Sequence, residues 1–388
     1  MVASAAPAWA QAPVSPAPSP PPLAVAWDSA PHNIATARNF ETLFSLYGRG
    51  TDALFGAAHL DRGGKGIAAR FAKSAVDAFA AWLTTLAGHE FGHCQQAWLA
   101  GSQSCHWVGA PGPYALGHVI SVTDINHLSP AGQQAIIAGG TQATVAGADA
   151  LKREIFERGD ADWTAWPLLF FRQTDITFYG ISAPSPANAA PLDYANDMTN
   201  YAAVYGARSG HGGEAVHAAI VHGALWNAAD PMTWYGVYSY VGGYLVHGER
   251  TGRAPGVDIG GRTWMVTTST WLSEVGVRYA LGVLSRSRAG DVVAITPSWG
   301  EGQPAMNAQW SRQAGGGLRV HVAGDVWRQR VSAAPGSLQS GGSIGAGLSE
   351  QHGRVEVSGD LGHKSQGVAL GRPQAAGWFF SFGSAVRF

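Results

Sequence analysis

From Arg262 onward, apolar and polar residues alternate with period two. Val275, Val277, Tyr279, Leu281 and Val283 share one face, and Glu274, Gly276, Arg278, Ala280 and Gly282 share the other. Leu318, Val320, Val322 and Val326 alternate with Arg319, His321, Ala323 and Asp325 in the same way, as do Val355, Val357 and Leu361 with Arg354, Glu356, Ser358 and Asp360. The pattern predicts seven or eight antiparallel strands over 262–388. Each is about ten residues long and separated from the next by Gly/Ser/Pro turns, a length that suits tilted membrane-spanning strands. Upstream, the period changes to that of helices. Ala-rich helical segments run through 66–100, 129–158 and 163–181, divided by breaks such as Ala110-Pro111-Gly112-Pro113. Ser129 is suited to cap a helix that starts at Pro130. A Pro/Asn/Gly-rich connector covers 183–212, and 213–248 is helical again, with a break at Asp230-Pro231.

Composition sharpens the contrast. The chain has 388 residues, of which 46% are apolar and only 13% charged, about half the usual charged share. Such a surface does not suit a conventional cytosolic enzyme. The net charge of −1 leaves no basic excess for nucleic acid. With 52 Gly and 15 Trp, the balance suits a chain that meets lipid, although no run of about 18 residues is apolar enough for a standard spanning helix. An antiparallel soluble sandwich would also alternate, but its exposed faces would carry more Lys and Glu. The expected fold is therefore an α+β membrane protein, with a helical region at 32–249 and an antiparallel transmembrane β-barrel region at 262–388. Seven or eight strands could close on themselves, or helices could complete a mixed helix/strand wall. In either case the helices are expected to pack on the strands and not to hang from a linker.

Met1 to Ala26 carry no charged side chain. Ala8-Trp9-Ala10 and Ala10-Gln11-Ala12 fit the small-x-small pattern of a signal-peptidase site, without a basic region before them. Residues 1–31 thus read as an export-signal remnant followed by a Pro-rich extended spacer, or as an Ala/Pro-rich tail. Cys94 and Cys105 are either one bridge formed in an oxidising compartment or two buried thiols.

The last strand places Trp378, Phe380, Phe382, Val386 and Phe388 on one face, with Ser384 among them, and Phe379, Ser381, Gly383, Ala385 and Arg387 on the other. This segment resembles the C-terminal strand of Gram-negative outer-membrane β-barrels, which ends in an aromatic residue. The resemblance implies an outer-membrane location, contact with the lipid bilayer and recognition by the barrel-assembly machinery.

The chemical signal is His89-Glu90-Phe91-Gly92-His93, an HExxH motif in an apolar helical segment. Residues four apart share a helix face, so both imidazoles can reach one zinc ion. Glu90 then sits beside the metal, where it can take a proton from an attacking water. The motif resembles that of zincin metallopeptidases, and the string HEFGH is especially similar to membrane-embedded site-2-type proteases. The resemblance implies zinc-dependent hydrolysis of peptide bonds in a peptide or protein substrate, with Glu90 as the general base. In that family an Asp ligand comes from a downstream Asn/Pro and Leu-Asp-Gly segment. That segment is not found in this chain, and Trp226-Asn227-Ala228-Ala229-Asp230-Pro231 is only a faint echo of it.

A catalytic zinc needs a third protein ligand. Asp149, the only carboxylate on the apolar stretch after Ser129, is the first choice. Gln142, seven residues earlier on the same face, would be a poor anionic substitute if the ligand position lay there. Glu214, His217 and His222 fall on one broad side of a later helix and form another set. His118 and His127 read as loop residues, and His321 and His363 as members of a polar lumen network. Gly341-Gly342 and Gly315-Gly316-Gly317 fall at expected hairpin turns, and no convincing phosphate-binding or dinucleotide motif is present. The rivals are a non-enzymatic outer-membrane channel or structural barrel with a metal-binding or vestigial HExxH helix, and a soluble secreted protease.

Overall fold

A computed structural model of the chain describes residues 23–28, 33–58, 63–109, 118–186, 196–249, 251–330, 338–369 and 375–386. The signal-peptidase-like sites, most of the Pro-rich spacer and Phe388 lie outside the described residues.

The helices are α1 (Asn33–Ala57), α2 (Gly63–Leu99), α3 (Pro130–Arg158), α4 (Ala165–Ser182), α5 (Asp197–Ser209), α6 (Gly213–Ala228) and α7 (Pro231–Ser239), the last continuing into a π-helical stretch, Tyr240–His247. α3 starts where its cap predicts: the Ser129 hydroxyl accepts from the Gly132 amide at 3.1 Å, with Pro130 in the first turn. Asp230 caps α7 in the same way, accepting from the Thr233 amide at 2.8 Å. Among the described residues no helix is long and apolar enough to cross a membrane by itself.

The strands are β1 (Leu23–Asp28), β2 (Cys105–Gly109), β3 (His118–Val122), β4 (Asp160–Asp162), β5 (Thr251–Arg253), β6 (Val257–Ile259), β7 (Arg262–Ser273), β8 (Gly276–Ser287), β9 (Val292–Trp299), β10 (Ala305–Gly315), β11 (Leu318–Gln329), β12 (Gln339–His352), β13 (Val355–Lys364) and β14 (Gly377–Val386). β6 to β14 form an antiparallel meander in which each strand pairs with the next, and β1 adds to β14, making ten strands. The terminal strands β1 and β6 do not pair, so the sheet is open and is not a closed barrel. Eight of the strands, β7–β14, lie in the region expected to be β. Two small sheets, β2–β3 and β4–β5, lie apart from it.

Several readings need correction. The stretch 183–212, read as a connector, contains the helix α5, and Gly341-Gly342, read as a hairpin turn, lies within β12. Leu23–Asp28, assigned to the tail from its proline-rich approach, is an edge strand that supplies the free side of β14 with a partner, Leu23 opposite Val386 and Asp28 opposite Ser381. His118 lies in β3 and not in a loop.

The sheet is apolar outside and polar inside. Trp310, Val326, Ile344, Leu348, Leu361 and Phe380 are exposed on one face. On the other, Asn307, Gln309, Arg319, His321, Asp325 and Asp360 line a cavity of about 550 Å³ that Asp149, Lys152 and Glu157 of α3 close from the helical side. His321 pairs with Asp360 in this cavity, a polar pairing on the inner face as expected, although the sheet that carries it does not close round a lumen. His363 does not join them, because it shares its parity with Val357 and Leu361; it sits on the outer face against the Trp378 ring.

The helices pack directly on the sheet, α1 on β1 and α3, α6 and α7 on β7. β6 covers only the first residues of β7, up to Trp264. Beyond that point helix side chains take up the edge. The Thr268 carbonyl accepts from Lys152 and Gln173, both at 2.9 Å. The Thr268 and Thr270 amides donate to Asp230 and Asn227 at 2.8 and 3.2 Å. Gln142 reaches the Leu272 carbonyl at 2.8 Å, and Gln134 and Tyr201 reach that of Ser273 at 2.9 and 2.5 Å. Buried main-chain polar groups require such partners, and here they come from α3 to α7 in place of a neighbouring strand.

Candidate metal centre

His89 and His93 lie one turn apart on α2, with ring centroids separated by 4.9 Å. α3 crosses them at glycines. A Cβ on Gly139 would lie 2.6 Å from the Gly92 carbonyl oxygen, and one on Gly140 would run into both imidazoles. The absence of side chains at this crossing therefore seats the two rings against the α3 backbone. Gly140→Ala is expected to lower stability by about 1–3 kcal/mol through overpacking. Gly50→Ala, where a Cβ meets open space on α1, should be neutral or slightly stabilising. Thermal melts of the two variants compare them directly.

Each imidazole is held from behind. His93 Nδ1 faces the Ile136 carbonyl at 2.6 Å, so it carries the proton and donates. His89 Nδ1 lies 2.9 Å from Asp175 Oδ2 on α4, an oxygen that also accepts from the Thr144 hydroxyl at 2.8 Å. With both Nδ1 atoms protonated, the lone pairs of neutral rings are on Nε2. Both Nε2 atoms point at the same carboxylate oxygen, Asp197 Oδ2, at 3.1 and 3.2 Å. Asp197 opens α5, immediately after Asn196, whose side chain caps that helix by accepting from the Met198 and Thr199 amides.

His89, His93 and Asp197 thus offer three ligand atoms, all within 4.8 Å of one another. Three lone-pair atoms at this spacing repel unless a cation or protons lie between them. A tetrahedral zinc with bonds of about 2.0–2.2 Å separates its ligands by about 3.3–3.6 Å, close to the observed 3.1 and 3.2 Å. The backing of both rings by a carboxylate and a carbonyl is the outer-shell arrangement usual for metal-ligating histidines. The histidines are buried, with side chains 2% and 7% exposed, whereas Asp197 is 23% exposed. Glu90 is also buried, within electrostatic reach of His93 and Tyr179.

The other residues singled out from the sequence do not join this cluster. Asp149 accepts from Lys152 at 3.1 Å and faces the sheet cavity. Gln142 serves the edge of β7. Glu214 accepts from Ser185, and His217 Nε2 lies 3.1 Å from the Ala183 carbonyl. The Trp226–Pro231 segment is structural, since Asp230 and Asn227 hold α7 and β7. Asp197 and Asp175 were not singled out in the sequence. The only local sign was Asn196, a cap residue ahead of α5, which lies inside the stretch read as a connector.

Immediately after the motif, Cys94 and Cys105 form a disulfide with Cα atoms 5.5 Å apart, which ties α2 to β2. Comparisons with family models, with curated proteins and with solved structures found no match to this chain.

Proposed function

We propose that the protein is a zinc-dependent metallopeptidase of the Gram-negative outer membrane, with its centre at the crossing of α2 and α3. The observation that carries this reading is the convergence of His89 Nε2, His93 Nε2 and Asp197 Oδ2, with both Nδ1 atoms already engaged. Asp197 replaces Asp149 as the third ligand in this reading. Together with the two histidines it forms a His/His/Asp set, the set that the resemblance to site-2-type proteases implies.

Bound there, a zinc ion would polarise a scissile carbonyl and make a water molecule a better nucleophile at neutral pH. Glu90, the next residue after His89, takes the proton of the attacking water on its carboxylate and passes it to the leaving amine. Asp175 and the Ile136 carbonyl keep the imidazoles in one tautomer and one orientation.

The membrane assignment rests on the inverted surface of the sheet. An apolar outer face around a polar cavity is the arrangement of a wall in lipid, and it would be costly in water. Apolar exposure extends over the helices, as at Phe71, Phe79, Trp82, Phe178 and Leu225. The covered edge of β7 meets the requirement that no open strand edge face lipid, and helices complete the wall that the open sheet leaves. The disulfide fits an oxidising compartment.

Expressed in a Gram-negative host and extracted from its outer membrane, the protein should carry about one zinc per chain and cleave members of a peptide panel. His93→Ala should lose both the metal and the cleavage. Unchanged zinc in that variant would refute the centre. A second reading has one observation in its favour: none of His89, Glu90, His93 or Asp197 lines the large cavity. A zinc-loaded wild-type protein that cleaves nothing would select that reading, a non-enzymatic membrane protein whose metal clamps α2 to α5.

A further inference from the structure

The cavity between the sheet and α3 contains a buried cation that has no counter-charge among the described residues. Lys152 faces Asp149 at 3.1 Å, Arg158 faces Glu154 at 3.5 Å and Arg319 faces Glu157 at 2.6 Å. Arg278 of β8 also lines the cavity and is only 2% exposed, yet it faces no carboxylate among the described residues. Its Nη2 donates to the Ser298 hydroxyl at 3.1 Å, and its guanidinium lies 5.5 Å from the centre of the Trp271 ring. Nε and Nη1 have no acceptor among the described residues.

An unpaired buried charge is costly, and a guanidinium cannot escape that cost by losing its proton. The surroundings fit a ligand and not an internal partner. Ala280, which follows Arg278 on its face of β8, is small, and Thr267, whose hydroxyl fills the space over Gly282, joins Ser269 and Thr296 in placing hydroxyls on the adjoining strands of the cavity wall. Trp271 offers an apolar ring face beside the charge. A volume of about 550 Å³ is in the range that holds small organic ligands.

We propose that this cavity is a binding site for a small organic carboxylate. The acid group sits on Arg278 and Ser298, and the apolar body lies along Trp271. The site is separate from the metal centre and does not depend on it.

The test uses the full chain in detergent, with benzoate as the probe, benzamide as its uncharged counterpart and inorganic phosphate as a bare anion. Benzoate should raise the melting temperature in proportion to the logarithm of its excess, by about 3 °C at a hundredfold excess over its Kd. Benzamide should do nothing, and Arg278→Gln should abolish the benzoate shift. Equal shifts from benzoate and benzamide, or a benzoate shift retained in Arg278→Gln, would overturn the proposal. A shift from phosphate with none from benzoate would also overturn it, since it would leave an ion site only. If Arg278→Gln does not fold, Ser298→Ala and the ¹⁹F signal of 4-fluorobenzoate on wild type decide the matter: saturable broadening weakened at least threefold by Ser298→Ala supports the site, and an unperturbed signal on wild type rejects it.

Discussion

Glu90→Gln is expected to lower turnover by about 10²–10⁴-fold while leaving the zinc content and the thermal melt close to those of wild type. The amide keeps the size and shape of the carboxylate but cannot accept a proton from water. Glu90 offers no ligand atom to the three-residue cluster, so its replacement should not release the metal. The check is a paired measurement of zinc per chain and of peptide cleavage on the same preparation. Cleavage at the wild-type rate would remove Glu90 from the chemistry. Loss of the metal along with activity would make it a structural neighbour of the centre.

The second large effect separates two aspartates. Asp197→Ala should weaken zinc binding by at least a hundredfold, since even the outer partners of metal ligands are worth about 10–100-fold. Asp149→Asn should leave zinc affinity unchanged, because its carboxylate is engaged with Lys152 and faces the sheet cavity. Competition with a chromophoric chelator measures both. The reverse outcome, with Asp149 essential and Asp197 dispensable, would return the third ligand to the helix after Ser129.

The contrast between these two residues shows where the sequence is readable. The pair His89 and His93 is legible because one helical turn brings the rings together, a local property of spacing. The start of α3 is legible for the same reason, since Ser129 and Pro130 act within one turn. Strands β7–β14 announce themselves by parity, which also correctly places Arg278 and His321 on the inner face. Parity likewise puts His363 on the outer face with Leu361, a point that assigning it to the lumen overlooked. Asp197 is 104 residues beyond His93 and reaches it only because α5 packs against α3. No periodicity encodes such a meeting. β1 was hidden for a related reason: six residues after a proline tract are too few to display alternation, and their partner β14 is at the other end of the chain.

The covered edge of β7 bears on how the protein can be made. Five main-chain groups of that strand, the Thr268 amide and carbonyl, the Thr270 amide and the Leu272 and Ser273 carbonyls, depend on side chains from earlier in the chain. Each one orphaned in a dry environment costs about 1–3 kcal/mol, so together they rival the stability of an ordinary domain. The β half is therefore not a transplantable module. Cut free of the helices it would present a ready template for intermolecular strand pairing. If the sheet enters lipid as proposed above, the helices have to dock before it leaves water, and any factor that holds the unfinished chain would have to shield this one strand above all others.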